Sequence, residues 1–275
     1  MDKPKILFSA KDAPWLPSGY GIITRHLTPR LRDHYGKDNV LIYAPVYQRD
    51  EVRIWEEMVV LPGGGPNAFG EDLIEQHYVK NGCNLLLQVG DWAPLTVIPQ
   101  LAAENKLVWV QWAPFDFSNF PEWLLNMIKF SKKIVPFSQQ AEKVFRDAGL
   151  TQTSKAIWLG LDLNIWQPSD RRLDPKLMAS MGFSEDGYNI LIVAANQHRK
   201  YLRETLEAIA IFIKAYPQAN THVYMHTHAR SERQLDMDVH ELKLQDVVRF
   251  PDPYLLLLGG IDEQKMVHMF NAADV

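Results

Sequence analysis

Short apolar runs recur along the chain at regular intervals, at residues 5–10, 40–44, 85–89, 107–112, 133–137, 155–159, 189–194, 221–226 and 247–250. Each has the length and aliphatic content of a buried strand. Between several of them lie stretches with apolar residues at helical spacing: Ile22, Ile23, Leu27 and Leu31 in one, Ala141, Val144, Phe145 and Ala148 in another. Strand followed by helix, repeated, predicts an α/β protein whose parallel sheet is covered on both faces.

The alternation pauses at residues 160–172, a polar stretch bearing Pro168, after which a short helix and a new series of strands begin. This predicts a domain junction near residue 166, with one domain over 1–165 and a second over 166–275. Residues 63–66, Gly-Gly-Gly-Pro, read as a surface loop within the first domain. Residues 260–275 read as a helix, a turn and the first residue of a further strand, so the second sheet is expected to be incomplete.

Composition narrows the classes. With 275 residues, 47% hydrophobic and 23% charged, the chain suits two modest globular domains or one large one. A net charge of -4 gives no strong nucleic-acid signal, because a duplex binder needs clustered cations to neutralise phosphates. The single cysteine, Cys83, forms neither an internal disulfide nor a multi-thiolate metal site and is expected to pack as a small hydrophobe. The first ten residues are too short an apolar run for a signal peptide, and residues 255–258 cannot serve as a transmembrane segment, so a cytoplasmic protein is expected. Tryptophans gather in loops such as 12–15 and 91–94, where indoles line pockets as readily as they fill cores.

In open α/β sheets ligands bind beyond the C-terminal ends of the strands, so chemistry is sought directly after each apolar run. After the first, Gly19, Tyr20 and Gly21 stand where a loop enters a helix. Free N–H groups there favour an anion, although Ser-Gly-Tyr-Gly also makes a tight turn. Asp91 and Asp116 follow the third and fourth core strands and are placed to orient a hydroxyl or accept its proton, or to cap a helix or form a turn. Asn196-Gln197-His198-Arg199-Lys200 is the densest polar cluster, suited to a diphosphate or, more simply, an exposed basic turn. His226 and Thr227 end the neighbouring strand. His226 and His228 alternate across that strand, which argues against one metal between them. HExxH, Cys-cluster, Gly-X-Ser-X-Gly and Walker A patterns are absent, so no metal or cofactor is expected.

Taken in order, these features resemble the retaining glycosyltransferases of the GT-B fold, the large family that includes glycogen-synthase-like and lipid-mannosyl enzymes. Ser18-Gly19-Tyr20-Gly21 is similar to the family's glycine loop, and residues 138–149, from Ser138 to Gly149, to its Ser-to-Gly helix. Leu159-Gly160-Leu161-Asp162 with Ile165-Trp166-Gln167-Pro168 is similar to its interdomain phrase. Residues 193–200 are similar to the segment carrying its diphosphate lysine, here Lys200, while residues 246–250 and 269–275 resemble a late strand and helix end. The family's usual arginine falls at 194–196, leaving Arg199 as the candidate substitute, and Gln111-Trp112 stand where the family often has a histidine.

The resemblance implies two Rossmann-like domains, the second incomplete, and metal-independent transfer of a sugar from a nucleotide-diphosphate donor to an unidentified acceptor hydroxyl with retention. The donor is a substrate, not a cofactor. Lys200, Arg199 and Asp116 would form the catalytic set, with Gly19, Tyr20, Gly21, Asp91, Asn196, His226 and Thr227 binding donor or acceptor. The family's Glu-containing donor motif would lie beyond residue 275, which implies a truncated chain with little activity by itself. Competing expectations are a non-catalytic scaffold that keeps the fold, a sugar-nucleotide epimerase, and a phosphorylase.

Overall fold

The first apolar run forms β1, Ile6–Ala10, and every residue in it is buried because it lies in the middle of a sheet. The computed structural model describes residues 3–45, 51–64, 70–91, 95–169, 174–257 and 261–275. They fall into two compact units, Met1–Gly160 and Leu161–Val275.

In the first unit β1 is joined by β2 (Val40–Ala44), β3 (Arg53–Trp55), β4 (Met58–Pro62), β5 (Leu85–Val89), β6 (Trp109–Ala113) and β7 (Lys133–Pro136). The strand order is β3-β4-β2-β1-β5-β6-β7, parallel throughout except for the β3–β4 hairpin. Alternation along the strands feeds two cores. Ile6 and Phe8 pack with α1 (Gly19–Tyr35) through its Ile23, Leu27 and Leu31. Leu7, Leu86, Trp109 and Ile134 pack on the other face. That face is covered by α2 (Ile74–Lys80), α3 (Val97–Ala103), α4 (Glu122–Ile128) and α5 (Gln139–Asp147). Ser138 starts α5 by accepting a hydrogen bond from the Ala141 N–H at 3.1 Å. Gly149, at φ +81°, supplies the left-handed residue just past its end.

Residues 155–159, expected as a strand, do not join the sheet. The Ile157 N–H donates to the Pro136 carbonyl at 2.9 Å and the Trp112 indole donates to the Ile157 carbonyl at 3.0 Å, but Ile157, Trp158 and Leu159 are all exposed. With one such backbone bond to β7 and its apolar side chains in solvent, the run adds no strand to the sheet. Conversely, β3 and β4 were not expected; Met58 and Val60 of β4 are fully buried against α1's core.

The second unit contains α6 (Pro175–Met181), β8 (Tyr188–Val193), α7 (Leu202–Ala215), β9 (Thr221–His226), α8 (Leu235–Glu241), β10 (Val248–Arg249), α9 (Pro253–Leu257) and α10 (Glu263–Ala272). Its strands are parallel in the order β10-β9-β8. Asp274 and Val275 run along the free side of β8, where the Leu191 N–H donates to the Val275 carbonyl at 2.8 Å. Fully buried Asn189 ties this edge together. Its amide exchanges bonds of 3.1 and 2.8 Å with the Ser184 backbone, and its N–H donates to Asp274 Oδ2 at 2.9 Å. Each such bond contributes about 0.5–1.5 kcal/mol.

The phrase around Trp166 is structural. Asp162 Oδ1 accepts from the Asn164 backbone, the Trp166 indole donates to Glu263 Oε1 at 2.8 Å, and its ring meets Phe270 at 5.6 Å. Asn271 clasps the backbone of Gln167 and Ser169. The same residues that make the motif readable therefore moor this segment to α10.

Candidate functional site

In the first unit the chain leaves β1 toward β2 on one side, while β5 lies on the other, so the loops part at the C-terminal ends of β1 and β5. This is the switch point at which doubly wound sheets form a crevice. A cavity of about 460 Å³ opens there, lined among others by Ala10, Tyr20, Gln88 and Asp91.

The start of α1 is built from its loop. Ser18 caps the helix, accepting from the Gly21 N–H at 3.0 Å, and its hydroxyl donates to Asp12 Oδ2 at 2.5 Å. Asp12 is buried, and its other oxygen has no hydrogen-bond partner among the described residues. Gly21 is required sterically: a Cβ there would stand 2.3 Å from the Leu16 carbonyl oxygen. Gly19 faces open space, with nothing within 4 Å of a Cβ.

Tyr20 lies against Gly90, whose φ of +146° turns the chain sharply after β5 and presents Asp91. Burial pushes the Tyr20 phenol well above its ordinary range, and the neighbouring Asp91 charge adds to the shift. Burial does the same to Tyr43, whose hydroxyl donates to the Gly70 carbonyl. Tyr20 and Asp91 are thus brought to one cavity, whereas Asp116 is exposed on the loop after β6 and does not line it. Of the loop 91–94 only Asp91 is described.

Two cavity residues escaped the sequence reading. Glu71, buried on a short turn, accepts from the N–H groups of Thr96, Val97 and Ile98 at 2.8, 3.2 and 3.3 Å, so a side chain already fills the anion site at the head of α3. No local pattern announces that role. Gln88 did carry a signal, a lone amide inside the apolar run Leu85-Leu86-Leu87-Gln88-Val89.

In the second unit β8 and β9 end level, Val193 pairing with His226. Asn196 is buried and its amide donates to the carbonyls of His228 and Arg233, both at 2.9 Å, pinning the loop after β8 to the loop after β9. Asn196 Oδ1, Gln197 Oε1, His226 Nδ1 and Thr227 Oγ1 are buried at this edge without a partner among the described residues. Burial, aided by His228, pushes the His226 imidazole below its ordinary range, so the ring is neutral near pH 7.

Arg199 and Lys200 sit on an exposed turn, His198–Lys200, immediately before α7. Tyr201, at φ +50°, opens that helix without a side-chain cap. Arg203, the next cation, is spent on structure, bonding Asp238, Glu241 and Glu207 at 2.5, 2.8 and 3.0 Å. Arg199 and Lys200 have no acidic partner among the described residues. No group of three or more metal-ligating side chains occurs among the described residues, and no helix there is long and apolar enough to cross a membrane.

The raised phenols make alkaline stability testable. A folded-state pKa above the unfolded value of about 10 means that stability is intact below pH 10 and is lost as pH rises through the folded values. Burial pushes Tyr224 up to about 12. The urea midpoint is expected to fall between about pH 10 and pH 12, and Tyr224→Phe to remove part of that fall; a flat profile would contradict the burial of these hydroxyls.

No family model matches the chain, and no curated protein matches its sequence. Solved structures do. A UDP-N-acetylglucosamine 2-epimerase from Rickettsia bellii is similar over 93% of this chain and 71% of its own, at 15% identity and a TM-score of 0.62. An E. coli structure described as trehalose-6-phosphate bound with UDP-2-fluoro glucose is similar over 98% and 77%, at 11% identity and 0.64. A glycosyltransferase from Rickettsia africae ESF-5 is similar over 95% and 72%, at 13% and 0.61. Likeness at these identities establishes the fold: an α/β chain of two Rossmann-like units, of the GT-B class.

Proposed function

We propose that the chain is a metal-independent, retaining glycosyltransferase of the cytoplasm, with residues 1–165 holding the acceptor and residues 166–275 the diphosphate of a nucleotide-sugar donor. The observation that carries this reading is the pair of unspent cations, Arg199 and Lys200, ahead of the uncapped N-terminus of α7 at the end of β8. Cations and helix N–H groups together suit a diphosphate and the charge it gains on leaving. The acceptor oxygen bonds to the anomeric carbon as the bond to the diphosphate breaks, and its proton passes to the departing phosphate oxygen. No side-chain base is then required. Asp91 orients the acceptor hydroxyl beside Tyr20, with Gly19 and Gly21 shaping the floor. Asp116 is proposed to assist from the next loop. Asn196, His226 and Thr227 border the donor; Asn196 acts by holding the loop, and neutral His226 offers a hydrogen bond.

A second reading is favoured by the likeness to UDP-N-acetylglucosamine 2-epimerase, since that protein has the same fold. Thermal-shift titration with UDP-, GDP- and ADP-sugars tests both readings at once. Stabilisation by one nucleotide class is expected, and none by any sugar nucleotide would end both. An epimerase then interconverts its sugar nucleotide alone, whereas a transferase releases the nucleotide only when an acceptor is added.

A further inference from the structure

Four polar residues lie in one register row across the first unit's sheet: Tyr43, Ser9, Gln88 and Gln111, on β2, β1, β5 and β6. Their side chains leave the same face one step beyond Leu41, Leu7, Leu86 and Trp109 of the core. Gln111 is satisfied within the protein, accepting from the Trp109 indole at 3.0 Å and donating to the Gly90 carbonyl at 2.9 Å. The Tyr43 hydroxyl is taken by Gly70. Gln88 differs. It is 7% exposed, it lines the cavity, and its amide oxygen has no hydrogen-bond partner among the described residues. A buried amide end left unpaired is destabilising, so the group calls for a partner from outside the protein, and at a cavity wall a ligand can supply it. The terminal torsion of a glutamine is broad, so rotation about it can bring either end of the amide to the cavity that Gln88 lines.

The charge around the cavity selects the ligand. Glu71 fills the N-terminus of α3, Ser18 caps that of α1 with the Asp12 carboxylate behind it, and Asp91 adds a further carboxylate, so the interior disfavours an anion. Lys11 is exposed at the rim. Tyr20, Tyr43 and Ile98 give the walls apolar surface. At about 460 Å³ the space is near the small end of ligand sites.

We propose that this cavity takes a neutral sugar ring and that the Gln88 amide reads one of its hydroxyls, with Asp91 accepting from another. That the sugar is an acceptor rests on the transferase reading; its binding does not, and needs no donor. The full chain, without nucleotide, is titrated by ligand-observed NMR with the methyl α-D-glycosides of glucose, mannose and galactose, and with glycerol 3-phosphate as an anionic probe. At least one glycoside is expected to bind better than glycerol 3-phosphate, and Gln88→Leu to weaken it about tenfold or more. On the unaltered protein, one monodeoxy analogue of that glycoside should lose about tenfold, and it should bind Gln88→Leu as well as its parent does. Failure of all three glycosides, preference for the anion, or a monodeoxy series without a loss overturns the proposal, the last even where Gln88→Leu does not fold. A protein that binds glycosides but no nucleotide sugar keeps this proposal and loses the transferase reading; the opposite pattern does the reverse.

Discussion

Replacing Gly21 with alanine is expected to destabilise the first unit by about 3 kcal/mol, seen as a drop of roughly 10 °C in its melting midpoint, while Gly19→Ala stays within about 0.5 kcal/mol. Both glycines lie in the first turn of α1, where alanine is intrinsically the better helix former by about 1 kcal/mol. Their surroundings reverse that preference at one position only. A methyl on residue 21 would stand 2.3 Å from the Leu16 carbonyl oxygen and 3.0 Å from that of Ala13, and these backbone groups belong to a turn closed by the Leu16 N–H to Ala13 bond. They cannot rotate away as a side chain would. At residue 19 the methyl meets nothing within 4 Å. A Gly21→Ala protein melting within about 2 °C of the parent would show that this turn yields. The contrast also divides the labour of the Ser-Gly-Tyr-Gly motif. Gly21 lets the helix pack beneath its own loop, and Gly19 leaves the helix end open, so a loss of ligand affinity in Gly19→Ala at unchanged stability would place a ligand there.

Much of the fold was legible because it depends on burial, which leaves a period in the sequence. β2, β5 and β9 begin and end where the apolar runs do, and the helical spacings at Ile22–Leu31 and Ala141–Phe145 fall within α1 and α5. Residues 155–159 show where the rule fails. Ile157, Trp158 and Leu159 have strand composition but lie exposed beside the edge strand β7, and composition does not reveal whether a run will be covered. Short β3 was invisible for the opposite reason, since its exposed Arg53 and Ile54 carry no burial signal. The sites divide in the same way. Positions directly after strands could be found from the alternation, which brings Asp91 and the 196–200 loop into view. Contacts closed across 25 residues or more, such as Glu71 with the head of α3 or Asn196 with the Arg233 carbonyl, have no local spacing to give them away.

Removing the two charges of the 198–200 turn is the other large effect. Arg199→Ala with Lys200→Ala is expected to weaken binding of the donor nucleotide diphosphate about 100-fold or more, and Lys200→Ala alone about tenfold, because each charge-assisted bond to phosphate is worth about 1.5–3 kcal/mol. Stability should move by less than about 0.5 kcal/mol, since neither side chain is buried or paired among the described residues. Arg203→Ala provides the contrast one turn onward. Its guanidinium joins α7 to α8 through Asp238 and Glu241, so its loss should lower the melting midpoint and affect the nucleotide only indirectly. Added salt should weaken the parent more than the double variant, because exposed cations act through a screened field. If the double variant binds UDP-, GDP- and ADP-sugars as tightly as the parent, the donor diphosphate does not lie at the end of β8. The cavity in the first unit would then be the only part of the transferase reading left standing, and a sugar-binding protein on a GT-B fold would explain it equally well.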